Sequence, residues 1–366
     1  MPKPYSQFQA LWAITRASLK AIFKSPQSVF FSLFFPIVLI VVFGALSRGG
    51  GVSLDVAFDR QSDTLNPVYY AIKNAPVFTI QQGDPADLED RMKKGRITAL
   101  IDVRKLPADS GAARYDIHYR YSSADQRELP ALELFLNSVV NRVTQQQRGG
   151  ASIVTVSSEE VKGRVYKMID FYLPGMIGFS LIGASVFGVA FVFFTLRETL
   201  VLKRMYASPV KKGYIVLGES LSRLIFQMIT VVVLILFGKY FYDFTLANGW
   251  LTFAELLVLC LVALMVFMGF GFIISSVARN QNVIPIYANL FMFPQYFLSG
   301  TFFPKSALPQ GIQWLVDALP LTALNDGLRK VAFEGAHLPD CWKQLLILGA
   351  WGVVIYAVAV KVFRWE

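Results

Sequence analysis

Few residues of this chain combine the type and the position that acid–base, metal or thiol chemistry requires. The two histidines, His118 and His337, are far apart in sequence, and neither belongs to a recognisable cluster of metal ligands. The two cysteines, Cys260 and Cys341, fall at different depths of the predicted membrane region, so they support neither a disulfide framework nor a thiolate metal site. The sequence therefore predicts no metal centre and no catalytic residue.

Charged side chains are nearly absent from the middle of the apolar segments. An ion-coupled transporter or an intramembrane hydrolase usually carries Asp, Glu, His or Lys there, because these groups bind the coupling ion or perform the chemistry. Glu219 and Arg223 lie one helical turn apart at the start of an apolar segment, where we expect them to pair with each other. Lys239 and Glu255 lie near the opposite boundary, where we expect them to reach water.

One segment has the glycine spacing of a phosphate-binding loop. Residues 213–220, GYIVLGES, carry Glu219 at the position where that motif requires a lysine. We interpret the match as coincidental, so the sequence predicts no nucleotide-binding loop in this segment.

Composition places the chain among integral membrane proteins. It has 54% hydrophobic and only 16% charged residues, with a mean hydropathy of +0.47. A helix of about 20 apolar residues is needed to cross ~30 Å of hydrocarbon. Six segments approach or exceed this length: residues 29–46, 171–196, 224–241, 253–277, 283–303 and 342–360.

The predicted fold class is an α-helical integral membrane protein with six transmembrane helices and an inserted mixed α/β extracytoplasmic domain. Lys and Arg cluster before the first span, after the second and fourth, and at the chain end, so these places and both termini are expected in the cytoplasm. The net charge of +10 is then explained by edges that face anionic lipid, and we expect no nucleic-acid partner. The expected location is the bacterial cytoplasmic (inner) membrane.

Four regions follow from this topology. Residues 1–26 contain apolar side chains at helical spacing and a basic stripe of Arg16, Lys20 and Lys24. This pattern predicts an interfacial helix on the inner leaflet. The helix either only anchors the chain or also contacts a partner. The others are a first transmembrane helix at 27–46, an outer domain with its linker at 47–170, and a five-helix domain at 171–366. In the outer domain we predict strands at 53–58, 97–103 and 115–121, helices at 67–74, 85–94 and 130–147, and a linker that begins at Gly149.

The fifth apolar segment runs into an abrupt break. Residues 295–309, QYFLSGTFFPKSALP, pass through Ser-Gly, two aromatics and two prolines, which predicts a re-entrant outer element at 299–320. The candidates for lining a pathway there are Phe291, Phe293, Tyr296, Phe297, Ser299, Gly300 and Pro304. Ordinary helix packing explains the bulky members of this set equally well.

Two further patterns indicate contact surfaces. Ser180, Ala184 and Gly188 form a strip of small residues at i, i+4 and i+8, which favours close helix packing over a substrate groove. Residues 197–210 form a short amphipathic helix that ends at proline, and such a helix docks into a groove on a partner or rests on lipid.

The run RETLVLKRMYASPV at residues 197–210 resembles the coupling segment of type-two ABC transporter permeases, the membrane subunits of a class of ABC exporters. The similarity continues in residues 169–181, 297–309 and 319–335, and the order of spans and outer domain also agrees, so the resemblance covers essentially the whole chain. Leu200 and Val201 stand where the family pattern has Gly and Thr, although the segment stays amphipathic.

The resemblance implies an ATP-driven exporter whose membrane half is this chain. Two copies of an ABC ATP-binding subunit would bind ATP and Mg, and would contact the coupling residues Arg197, Glu198, Leu202, Lys203, Arg204, Met205, Ser208 and Pro209. A homodimer, or a heterodimer with a sister permease, would enclose the pathway, and membrane lipid would surround the dimer. A periplasmic adaptor is a further partner that the resemblance allows. Drugs, lipopeptides or lipid-like amphiphiles are the implied substrates.

Two other functions fit parts of the pattern. An ATP-independent transporter would need an ion site, which the apolar segments do not supply. A membrane sensor would use the outer domain to bind a ligand, but it needs only one or two spans, and five follow the domain here.

Overall fold

The chain divides into two compact units in a computed structural model. Residues 48–166 form one unit, and residues 1–47 together with 167–366 form the other. The structure describes residues 6–46, 54–75, 77–93, 97–106, 115–122, 129–146, 154–161, 167–199, 210–305 and 308–362.

The unit of residues 48–166 is built on a five-stranded mixed sheet. Its strands in spatial order are β2-β1-β3-β4-β5, and only the β3–β4 pair is antiparallel. The strand bounds are β1 Leu54–Phe58, β2 Phe78–Ile80, β3 Ala99–Lys105, β4 Tyr115–Ser122 and β5 Val154–Val161. Within the described residues, three helices accompany the sheet: α4 Pro67–Lys73, α5 Pro85–Lys93 and α6 Leu129–Gln146.

The predicted mixed α/β pattern of this unit is confirmed, with two strands missed. Strand β2 has only three residues, which is too short for an alternating pattern to show. Strand β5 pairs along all of β4, so the chain after Gly149 is not simply the linker that we expected. Within the sheet, burial and a hydrogen bond to Glu133 raise the pKa of Tyr119 to about 12.

The other unit is helical. Its elements are α1 Gln7–Phe23, α2 Pro26–Val29, a π-helical turn Phe30–Phe34, α3 Phe35–Leu46, α7 Met168–Glu198, α8 Lys212–Tyr242, α9 Trp250–Val277, α10 Ile284–Leu298, α11 Gln310–Asp317, α12 Pro320–Arg329, a π-helical turn Lys330–Glu334, and α13 Trp342–Val362. Among the described residues, five helices are long and apolar enough to span a membrane. They are Pro26–Phe43, Met168–Glu198, Gly213–Tyr242, Trp250–Val277 and Leu338–Val362.

The fifth predicted span is shorter than expected. Helix α10 has 15 residues and is therefore ~22 Å long at 1.5 Å per residue, which falls short of the ~30 Å hydrocarbon core. It ends where Gly300 adopts a left-handed backbone with φ of 71°. The described residues thus contain five of the six expected spans as full-length helices, and the sixth stays a prediction.

Helix α1 packs along the start of α8. The Thr15 hydroxyl donates to the Gly218 carbonyl at 3.2 Å, and Phe23 meets Phe226 edge to face at 5.1 Å. Gly218 permits this approach, because a Cβ there would lie 2.9 Å from the Ile14 side chain. The predicted interfacial helix is therefore attached to α8. The first three turns of α8 precede the apolar segment of residues 224–241 that we predicted as the third span.

Helix α7 donates a hydrogen bond to the first span where Pro36 interrupts the helical hydrogen bonds. Pro36 has no N–H to donate to the carbonyl of Ser32, four residues earlier, and its ring crowds that carbonyl. The helix widens to π geometry over Phe30–Phe34, immediately before this point. The Ser180 hydroxyl then donates to the Ser32 carbonyl at 2.7 Å, while Gln227 donates to Ser180 at 3.0 Å. Ser180 therefore supplies a hydrogen bond that Pro36 cannot make.

We expect Ser180→Ala to destabilise the helical unit by about 1–3 kcal/mol, because it leaves buried polar groups on α8 and in the first span without their partner. The measurement is the apparent melting temperature of the purified protein in detergent. Ser185→Ala is the matched control, since the Ser185 hydroxyl bonds to Leu181 of its own helix and that carbonyl keeps its helical partner. Equal losses in the two variants would contradict the bridging role of Ser180.

Candidate coupling and pathway site

Arg197 joins the end of α7 to the end of α9. Its guanidinium donates to the carbonyls of Ser276 at 3.3 Å and Ala278 at 2.8 Å, and it lies 5.2 Å from the centre of the Phe194 ring. A cation is stabilised at a helix C-terminus by the carbonyls that lack a helical partner and by the helix dipole. The first residue of the predicted coupling segment thus holds two spans together.

Glu198 differs from Arg197 in that its side chain is exposed. It forms no ion pair with any residue that the structure describes. The other predicted coupling residues, Leu202, Lys203, Arg204, Met205, Ser208 and Pro209, lie outside the described residues. The chain is described again from Val210, and the Lys211 amide donates to the Gln7 side chain of α1 at 2.9 Å.

A buried charged network lies where α1, α7 and α8 meet. Arg223 pairs with Glu219 at 3.1 Å, which confirms the expected pair, and both side chains are largely buried. Arg223 also donates to the Gly188 carbonyl of α7 at 3.0 Å, and Ser18 of α1 donates to Glu219. Each charge is thus compensated, as burial in a membrane requires. The network ties α1 and α7 to the first turns of α8.

The opposite end of the bundle contains the break after α10. The Arg329 guanidinium donates to the carbonyls of Gly300 and, at 3.1 Å, of Phe171, and it stacks 4.0 Å from the Phe171 ring centre. Arg329 therefore connects the last residue of α12, the break and the first turn of α7. It supplies a donor to the Gly300 carbonyl, which lies outside any helix.

Buried polar side chains form hydrogen bonds around the break. The Asn325 amide donates to the Ser299 carbonyl at 3.2 Å and to the Thr301 hydroxyl at 3.1 Å. Gln295 accepts from the Leu321 amide at 3.3 Å. All four side chains, Gln295, Ser299, Thr301 and Asn325, are at most 1% exposed, so this cluster replaces water for the interrupted backbone.

Two glycines of α7 make room for this cluster. A Cβ on Gly175 would lie 2.6 Å from the Thr301 carbonyl oxygen, and one on Gly178 would lie 2.4 Å from Asn325 Oδ1. Helix α7 therefore receives both the break and helix α12 on a surface that has no side chains. Small residues allow this close approach between helices in a membrane protein.

Ion pairs hold the loop that follows the break. Lys305 lies 2.6 Å from Asp326 and 2.7 Å from Asp317, which joins it to α12 and α11. Burial disfavours the charged ammonium, but the two carboxylates outweigh this effect and raise the pKa of Lys305. Pro304, the neighbouring pathway candidate, is exposed.

The aromatic pathway candidates divide between two faces of α10. Phe291 stacks on Phe270 with ring centres 3.5 Å apart, and Tyr296 is buried with its ring 4.4 Å from that of Phe179. Phe293 and Phe297 are instead 53% and 59% exposed. They continue an exposed apolar row, which we call the α10 stripe: Ile286, Leu290, Phe293 and Phe297. Packing therefore accounts for Phe291 and Tyr296.

The strip of small residues on α7 lies against neighbouring helices. Ser180 contacts the first span and α8, and a Cβ on Gly188 would lie 3.6 Å from Arg223. Ala184, between them, is half-buried. The strip thus faces helices within the same chain along much of its length.

Sequence reasoning missed several contacts that hold these ends. Asp170 is fully buried and accepts from the Thr245 amide at 2.9 Å and hydroxyl at 3.0 Å. The expectation that Glu255 reaches water is wrong, because it is 8% exposed and lies 3.1 Å from His337. An acidic residue at the end of an apolar segment was the available signal, but Thr245 lies 75 residues from Asp170 and His337 lies 82 residues from Glu255.

Most of the chain matches one protein family. Residues 26–361 match the model of the ABC-2 family transporter proteins, so the chain belongs to that family. It is a multi-pass membrane protein, and the membrane subunits of this family are generally not catalytic themselves.

Curated relatives agree with this family. The linearmycin resistance permease protein LnrN of Bacillus subtilis is 21% identical over 96% of this chain and 98% of its own length. ABC transporter G family member 20 of Dictyostelium discoideum is 23% identical over 95% of this chain, which spans about half (50%) of that protein. The probable multidrug ABC transporter permease YbhR of Escherichia coli is 26% identical over 44% of each chain.

We expect Gly178→Ala to destabilise the helical unit by about 1–3 kcal/mol, because the new methyl group displaces Asn325 from its two partners at the break. Melting in detergent measures the loss. Gly349→Ala is the control: its Cβ meets nothing within 4 Å, and alanine in a helix is favoured over glycine by up to ~1 kcal/mol. Similar melting temperatures for the two variants would show that the contact with Asn325 is not tight.

Proposed function

We propose that this chain is the membrane permease subunit of an ATP-driven exporter that works with two copies of a separate ATP-binding subunit. The observation that carries the proposal is the set of hydrogen bonds that attach the two ends of the coupling segment to the helical unit. Arg197 fixes its start to α9, and Gln7 of α1 accepts from the Lys211 amide just after its end. Helix α8 continues from that end, and the Ser18–Glu219–Arg223 network joins α8 to α1 and α7. Force applied to residues 199–210 reaches four helices through these contacts.

The proposal assigns the surface of the coupling segment to the ATP-binding subunit. Glu198 is the described residue of this segment that is exposed and charged, and Leu202, Lys203, Arg204, Met205, Ser208 and Pro209 complete the proposed contact. ATP and Mg are bound by the partner. The basic ends of the spans and both termini are assigned to the cytoplasm of a bacterial cell, and the unit of residues 48–166 to the outside.

The proposed pathway runs along the α10 stripe. A second permease, either the same chain or a sister, would face this stripe and close the pathway, with the exposed Pro304 at its outer end and the buried Ser299 and Gly300 behind it. The stripe is apolar and aromatic, which suits a hydrophobic or amphiphilic substrate. LnrN is named a linearmycin resistance permease and YbhR a probable multidrug permease, and these two relatives support export of such molecules.

The coupling proposal is tested with the purified complex of this chain and its ATP-binding subunit. We expect Glu198→Lys to reduce substrate-dependent ATPase activity at least ten-fold, because charge reversal at an interface costs more than ~1.4 kcal/mol when charges of like sign meet. Lys361→Glu reverses an exposed charge at the end of α13 and serves as the control. An unchanged ATPase rate in Glu198→Lys, or a chain that never associates with an ATP-binding subunit, would refute the proposal.

The pathway is tested by export. We expect Phe293→Ala together with Phe297→Ala to reduce efflux of an amphiphilic dye from cells several-fold while basal ATPase activity is kept, because the substrate loses two aromatic contacts. Leu346→Ala removes a similarly exposed apolar side chain from α13 and is the control. Equal efflux by the double variant and the wild type would exclude the α10 stripe from the pathway.

A further inference from the structure

A groove opens at the elbow between α1 and the first span. It encloses about 530 Å³ and is lined by Phe23, Lys24, Pro26, Gln27, Val29, Phe30 and Phe34. The elbow itself is well defined, because Ser25 caps the new helix by accepting from the Ser28 amide and Pro26 occupies the first helical position. The groove is therefore a built feature of this bend.

The apolar wall of the groove lies on the π-helical turn. Phe30 and Phe34, which are four residues apart in this turn, both line the groove from the first span. Both rings are about half exposed. Only 17% of this span is buried within the chain, so the wall is open to the surrounding membrane. It offers a place for an acyl chain.

The mouth of the groove is basic. Lys24 lines it, and Lys20 and Arg16 follow on the same face of α1 at intervals of four residues. All three are exposed, and helix α1 contains no acidic residue. None of the three forms an ion pair with another residue in the described part of the chain. The opposite face of α1 is occupied by α8, so these cations are directed away from the bundle.

We infer that this elbow groove binds an anionic phospholipid, with its phosphate at Lys24 and Lys20 and an acyl chain along Phe30 and Phe34. A neutral lipid would satisfy the apolar wall but not the cations, while a soluble anion would satisfy the cations but not the wall. The bend places the lysines at the end of an apolar span, where a phospholipid changes from headgroup to chain. The site does not depend on the proposed exporter function.

Native mass spectrometry of the delipidated full-length protein tests this site. Titration with phosphatidylglycerol, phosphatidylethanolamine and phosphatidylcholine is expected to show tighter binding of the first by at least five-fold. Lys24→Gln should weaken phosphatidylglycerol binding about five-fold, which corresponds to the ~1 kcal/mol that each basic residue contributes near anionic lipid, and should leave phosphatidylcholine unchanged. Phe34→Ala should weaken both lipids, because it removes part of the apolar wall.

Lys361→Gln is the matched control, because it removes an exposed lysine at the end of another span. Lys24→Arg should restore binding if Lys24 acts through its charge. The inference is overturned if the three lipids bind alike, or if Lys361→Gln weakens phosphatidylglycerol as much as Lys24→Gln does. Displacement of the lipid by millimolar glycerol phosphate would assign the site to a soluble phosphate and would also overturn it.

Discussion

The helical unit depends on the requirement that backbone polar groups inside a membrane find partners within the protein. Near Pro36 and at Gly300 the chain interrupts its helices, and each of these interruptions leaves a carbonyl without a helical donor. Distant side chains supply those donors: Ser180 in the first case, Asn325 and Arg329 in the second. The irregular segments therefore specify which helices must be neighbours.

Helix α7 is the element on which these repairs converge. Its N-terminal half contacts the break and α12 at Gly175 and Gly178. Its middle bonds to the first span and α8 through Ser180, and its last turn bonds to α9 through Arg197. A helix with so many fixed contacts is poorly suited to bend. Movement of the bundle is more readily accommodated by rigid displacement of α7 with its partners, in which small shifts at one end appear at the other.

The sequence predicted the long spans well because their apolar runs carry the signal locally. It also predicted strands β1, β3 and β4 of the unit of residues 48–166, the Glu219–Arg223 pair and the break after α10. It could not predict the partners of that break, because Asn325 and Arg329 become neighbours of Ser299 and Gly300 only after the chain returns through α11 and α12. Pro36 was a visible signal of an interrupted helix, whereas the donor, Ser180, lies 148 residues away.

The attachment of Arg197 to α9 has an evolutionary consequence. Its guanidinium contacts the carbonyl oxygens at positions 276 and 278, and the Gln7 side chain accepts from the main-chain N–H at position 211. Substitutions of the side chains at 276, 278 and 211 would leave these hydrogen bonds in place. The side chains at these positions can therefore change in evolution while the hydrogen bonds that join α7 to α9, and Lys211 to α1, are kept.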